Sequence, residues 1–93
     1  MSFSKVSAVE HAKNDLAKRL KIGVGDISEH DVTDKEFPDM SLGCPVDGEM
    51  SAQMISYGWQ IKLDADGKHY EYRADKYQLR LHNFHGANYV IES

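Results

Sequence analysis

Cysteine is nearly absent from this chain: Cys44 stands alone. One thiol cannot close an internal disulfide, which excludes the disulfide-stapled secreted scaffolds and leaves a reduced, cytoplasmic setting as the expectation. Proline is almost as scarce. Pro38 and Pro45 both fall in the stretch Phe37–Gly48, so no proline-rich linker divides the chain. Long hydrophobic runs are missing as well. No segment approaches the ~18 apolar residues of a membrane span. Met1-Ser2-Phe3-Ser4-Lys5-Val6 lacks the apolar core of a signal peptide. A membrane partner is therefore not expected. Nor is there a block of basic charge: the large single-sign block is acidic. Asp26, Glu29, Asp31, Asp34, Glu36, Asp39, Asp47 and Glu49 face only Lys35, a net −7, while the rest of the chain carries +3. A phosphate backbone is a poor partner for such a surface, so no nucleic acid is expected.

Several chemical signatures are missing too. There is no CxxC for thiol exchange. Ser41 lacks a glycine-flanked nucleophile elbow, and the glycines form no phosphate cradle. Asp64-Ala65-Asp66-Gly67 lacks the further ligands and closing glutamate of a calcium loop, and reads as a hairpin turn. No cofactor is expected.

What remains is an ordinary globular composition, 41% hydrophobic and 28% charged, and residues 1–93 are expected to make a single α+β domain. Ser7-Ala8-Val9-Glu10 fits a capping box, with Ser4 as an alternative start. Val6, Val9, Ala12, Leu16 and Leu20 then recur three or four apart, one apolar stripe of a helix. Gly23 and Gly25 are expected to end it through left-handed backbone. From Ile27 to Phe37 the pattern is extended but changes parity between Ile27 and Val32, which a bulge would reconcile. Tyr57, Trp59, Ile61 and Leu63 alternate with polar residues. So do Tyr70, Tyr72 and Ala74, and then Tyr77, Leu79 and Leu81. Tyr89-Val90-Ile91 is a candidate short last strand. The expectation is an N-terminal helix packed on an antiparallel sheet of about four strands, α-β-β-β-β, cystatin-like by analogy only. The aromatic residues read as core rather than as a ligand pocket.

Candidate chemistry centres on the turn-rich stretch 38–48. It reads first as a proline-stiffened corner, with Leu42 and Cys44 turned to the core and Asp39, Ser41 and Asp47 at the surface. With Asp39, Asp47 and Glu49 nearby disfavouring a thiolate, Cys44 reads as a structural cysteine. Of the five histidines, His82 and His85 have a spacing that could chelate if the segment turns. With Cys44 they would make a Cys/His zinc set, which no second short-spaced pair supports. The acidic block reads as a solvated strand and loop, or as a surface for a basic protein partner or for weak divalent-cation binding.

Pro38-Asp39-Met40-Ser41-Leu42-Gly43-Cys44-Pro45, then Gly48, Gln53, Gly58-Trp59-Gln60-Ile61-Lys62-Leu63, Gly67 and Tyr70-Glu71-Tyr72-Arg73-Ala74-Asp75 resemble a family of small uncharacterised bacterial proteins. The pattern of that family runs PDxSLGCP, glycine, YxQ, GYxIxL, glycine and YxYHxD, and its helix is similar to Asp15–Leu20. The resemblance implies no established activity. Ser51 stands where that family has tyrosine, Trp59 also replaces tyrosine, and Arg73 replaces histidine. The second cysteine of exported relatives has no counterpart here, so neither a disulfide nor a histidine role carries over.

The leading expectation is a non-enzymatic binding or interaction domain. It would use the 38–48 loop, with Asp39, Ser41, Leu42, Cys44 and Asp47 as candidate binding residues, and the adjacent acidic surface. The alternatives are a thiol- or metal-dependent activity centred on Cys44 with His69, His82 or His85, and a homodimer joined through an exposed strand edge.

Overall fold

The computed structural model describes residues 2–93. Helix α1 spans Lys5–Leu20. Of the two starts open in the sequence, Ser4 is the cap. Its Oγ accepts the Ser7 N–H at 3.2 Å, while Ser7 Oγ accepts the Ser4 N–H at 2.9 Å, so Ser7 takes the place glutamate holds in the usual capping box. Ala8, Val9, Ala12, Leu16 and Ala17 are buried. At the other end the helix stops at Lys21, which adopts φ 58°, whereas Gly23 stays extended at −77°. The expected glycine terminator is thus corrected: a lysine bears the left-handed turn, and Gly23 leads into a single 3-10 turn, Val24–Asp26.

Five strands follow: β1 Ile27–Phe37, β2 Ser56–Ala65, β3 Lys68–Asp75, β4 Leu79–Phe84 and β5 Ala87–Glu92. They pair antiparallel in sequence order. The expected count of about four is corrected to five. His85 and Gly86 take φ 51° and 85° and reverse the chain in two residues, which lays β5 against β4. Asp66 and Gly67, at 56° and 75°, do the same between β2 and β3. Positive φ at both turn positions matches the twist of the flanking strands, which is why glycine occupies the second place in each.

β1 carries the bulge that its change of parity calls for. Glu29 pairs with Leu63 and Asp31 with Lys62, leaving His30 without an opposite number. The extra residue lets Ile27 and Val32 both turn toward α1. Beneath the helix, Ile61, Leu63, Tyr72, Ala74, Leu79 and Leu81 are fully buried together with Phe3 and the buried helix residues, while Leu20 packs at the margin and Val6 of the expected stripe is exposed. Each Leu or Ile sealed there contributes roughly 1.5–3 kcal/mol. Polar contacts also join the helix to the sheet. Lys5 reaches Asp34 and Lys13 reaches Glu29 on β1, while His11 meets Glu92 on β5. Asp15 accepts from the Tyr72 hydroxyl at 2.7 Å and from Arg19, and Arg19 lies over the Tyr89 ring. Burial, then the Asp15 hydrogen bond, raises the Tyr72 phenol well above its ordinary pKa. Of the other aromatics read as core, Trp59 and Tyr70 pack at its margin, while Tyr57 and Tyr77 are exposed.

Part of the reverse face of the sheet is covered by the long connection 38–55 between β1 and β2. Phe37, Leu42 and Cys44 are buried there. Among the described residues no helix is long and apolar enough to cross a membrane.

Gly58 lies where β2 and β3 press closest, and a Cβ there would sit 2.0 Å from the Ala74 carbonyl oxygen. Gly58→Ala is therefore expected to cost about 3 kcal/mol, from overpacking that only backbone movement relieves. A urea denaturation midpoint checks this.

Candidate functional site

The corner that follows β1 is built on one carboxylate. Asp39 Oδ1 accepts from Ser41 Oγ at 2.6 Å, from the Ser41 N–H at 3.0 Å and from the Gly43 N–H at 3.2 Å. These bonds, led by the Ser41 hydroxyl, hold the Asp39 carboxyl below its usual range. They also keep Leu42 and Gly43 in left-handed backbone, at φ 60° and 63°. Leucine is rarely found there; burial of its side chain offsets the strain.

The sheet grips this corner through its outward-facing polar residues. Arg73 Nη1 donates to the Leu42 and Gly43 carbonyls at 3.1 and 2.9 Å. Gln78 Nε2 donates to the Met40 carbonyl at 2.6 Å. Arg80 Nη1 donates to the Cys44 carbonyl at 3.1 Å, and both Arg80 terminal nitrogens engage the Glu49 carboxylate. The Arg80 hydrogen bond is the main reason the Glu49 carboxyl lies below its ordinary pKa. The Arg80 guanidinium is almost wholly enclosed, so losing Glu49 would strand its charge away from water.

Of the sequence candidates, Asp47 is exposed and Asp39 half-buried, while Ser41, Leu42 and Cys44 are buried. Ser41, expected at the surface, turns inward because its hydroxyl is held by Asp39. Cys44 Sγ donates to the Leu81 carbonyl at 3.5 Å. Burial pushes its thiol up to about 11, against the pull of Arg73 and Arg80. Such a thiol is a poor nucleophile near neutrality.

A second cluster lies on the same face, at the end of the β2–β3 hairpin. His69 Nδ1 is 2.5 Å and His30 Nδ1 is 3.1 Å from the two oxygens of Asp64. The two imidazole centroids are 5.3 Å apart. The hydrogen bond from His69 leads in holding the Asp64 carboxyl below its ordinary pKa. The cluster borders a cleft of about 510 Å³ lined by His30, Lys62, His69, Tyr70, Glu71 and His82, with Asn83 at its rim. His82 Nδ1 is buried there with no hydrogen-bond partner. Burial lowers the His82 pKa and Arg73 lowers it further, with Glu71 opposing. Burial of Glu71 is itself outweighed by hydrogen bonds from Gln60 and Arg73, so its carboxyl lies below the ordinary value.

Among the described residues, the group whose donor atoms all come within 4.8 Å of one another is His30, Asp64 and His69. Cys44, His82 and His85 are not brought into such a group, and the His85 ring stacks edge-on against Phe84 instead. Half of the histidine cluster was within reach of the sequence. A two-residue turn at Asp66-Gly67 puts Asp64 opposite His69. The parity change of β1 calls for a bulge, but only the β1–β2 register places His30 in it and beside Asp64.

The buried thiol has a pH signature. Its folded pKa lies above the ordinary 9.0. The contribution of Cys44 to stability is therefore present below pH 9 and lost as pH rises toward 11. Alkylation of the native protein is expected to be slow at pH 8 and to rise with a midpoint near 11, whereas the urea-unfolded chain reacts with a midpoint near 9. Mass spectrometry of iodoacetamide-treated samples checks this. Arg80→Met should cost about 1–3 kcal/mol by leaving the Cys44 carbonyl without its donor and Glu49 without its partner. It should also speed hydrogen exchange across 40–49.

No curated protein and no solved structure matches the chain. Residues 9–82, which include β1 to β3, the corner and the start of β4, match a domain of unknown function, DUF8738. The chain belongs to that family.

Proposed function

We propose that the protein is a small non-enzymatic binding domain that captures a basic, extended protein segment along β1 and the adjoining corner. The observation that carries this reading is the outer edge of β1, an 11-residue strand at the end of the sheet order. Among the described residues no strand pairs with that edge. A bare edge presents free backbone donors and acceptors at strand spacing, and natural sheets protect such edges with charge. Here the charge is predominantly acidic, with Lys35 the one lysine or arginine of the strand. Asp31, Asp34 and Glu36 are all exposed, and the net charge of −7 from Asp26 to Glu49 would steer a basic partner.

A groove of about 490 Å³ lined by Asp34, Lys35, Glu36, Tyr57, Gly58 and Trp59 runs beside the edge. Tyr57 is 69% exposed. Its ring offers a face for a lysine or arginine side chain, and the neighbouring carboxylates complete the match. Exposed Asp47 and half-buried Asp39 extend the acidic surface, while Ser41, Leu42 and Cys44 shape the corner from beneath. Strand addition supplies affinity through the backbone and selectivity through alternate side chains. The free buried thiol supports a reducing, cytoplasmic setting.

The test is a tryptophan-fluorescence titration with an extended peptide of alternating lysine and valine. Binding is expected to weaken steeply with salt. An Asp31→Lys, Glu36→Lys variant should lose at least tenfold in affinity with its fold unchanged by circular dichroism. Failure of the peptide to bind, or equal binding by the variant, would overturn the reading. A dimeric mass by light scattering that the variant abolishes would assign the edge to self-association instead.

A further inference from the structure

We propose that His30, Asp64 and His69 form a binding site for a zinc-class divalent cation, with two imidazole nitrogens and one carboxylate oxygen as ligands. The site stands independently of the peptide-binding reading, because none of its three residues lines the groove beside Tyr57.

Three donors about 2.0–2.1 Å from a tetrahedral zinc ion lie roughly 3.4 Å from one another. In the structure one donor atom from each residue already falls within 4.8 Å of the other two, and the His69 and His30 Nδ1 atoms lie 2.5 and 3.1 Å from the two different oxygens of Asp64. The side chains are 54%, 31% and 75% exposed for His30, Asp64 and His69. Swinging them outward by about an ångström is a rotamer adjustment rather than a rearrangement of the fold.

The backbone supports the set from three strands. Asp64 and His69 face each other across β2 and β3, fixed by the two-residue turn. His30 is the bulged residue of β1, and a bulge re-aims a side chain that would otherwise alternate away. Without it, either His30 or Val32 would leave its face. The bulge thus brings one imidazole beside Asp64 while keeping the apolar core intact.

Chemistry selects the class of ion. Two imidazoles and a carboxylate suit zinc, nickel or copper, not calcium or magnesium, which take oxygen sets. Three protein ligands leave a coordination position toward the cleft, where water would sit. Lys62 lines the same cleft and disfavours a cation there, but Asp31 pairs opposite it across β1 and β2. On binding, Nδ1 of each ring gives its lone pair to the ion in place of a hydrogen bond to Asp64, and the Nε2–H turns to solvent. A bound ion would pin the bulge of β1 to the β2–β3 hairpin.

The test is calorimetric titration of zinc into the full chain, paired with NMR of the five imidazoles. One equivalent is expected to bind, shifting the His30 and His69 resonances and leaving His11, His82 and His85 in place. His69→Ala and Asp64→Asn should each weaken binding at least tenfold with the circular dichroism unchanged, and Lys62→Met should preserve or tighten it. Zinc in large excess should raise the wild-type Tm by about 10 °C and that of His69→Ala far less. Absence of heat and shifts at millimolar zinc would overturn the proposal, as would shifts centred on His82 and His85 or wild-type affinity in His69→Ala. Should a variant fail to fold, the wild-type shift map alone decides.

Discussion

The packing on the reverse face of the sheet centres on the Arg80 guanidinium. Arg80, 4% exposed, points away from the helix-covered core into a layer made of chain rather than of a second helix. It holds the Cys44 carbonyl, the Glu49 carboxylate and the Gln78 side chain at once. Gln78 in turn holds Met40, and Arg73 holds Leu42 and Gly43. A connection as long as 38–55 has no regular backbone pairing of its own. Its carbonyls must find donors, and the outward row of the sheet supplies them. Hydrophobic burial of Phe37, Leu42 and Cys44 alone would leave that backbone unsatisfied.

Asp75 works the same way at the margin of this layer. It is buried, accepts from Ser56 at 2.7 Å, and takes the Tyr77 and Gln78 amides that turn β3 into β4. β2 therefore begins, and β4 begins, on one carboxylate. Near Gly58 the backbones come too close for any side chain. The corner and the two arginines, Arg73 and Arg80, are joined by hydrogen bonds into one unit.

The helix stripe, the alternation of β2 to β4 and the Asp66-Gly67 turn were legible because each is a local period set by backbone geometry. The parity change in β1 was legible too, and the bulge at His30 resolves it. The corner was legible as a corner, through Pro38, Pro45 and its glycines. Its grip was not: Arg73, Gln78 and Arg80 read as ordinary outward polar residues of alternating strands. Whether such a residue meets water or a returning chain depends on a contact some 30 positions away. β5 was underestimated for a related reason, since β4 and β5 pair irregularly, with shifts near Leu79 and between Leu81 and Phe84.

The sequence by itself determined the fold class, the acidity of β1 and the place of the hairpin, because periodicity, charge and turn chemistry are properties of neighbouring residues. Only the tertiary structure decided that the 38–55 connection folds back over part of the second face of the sheet. It also decided that Cys44 is sealed against Leu81, and that His30 arrives beside Asp64 and His69. Each of these follows from strand register and loop closure, which bring distant residues together through the energy of the whole sheet rather than through any local preference.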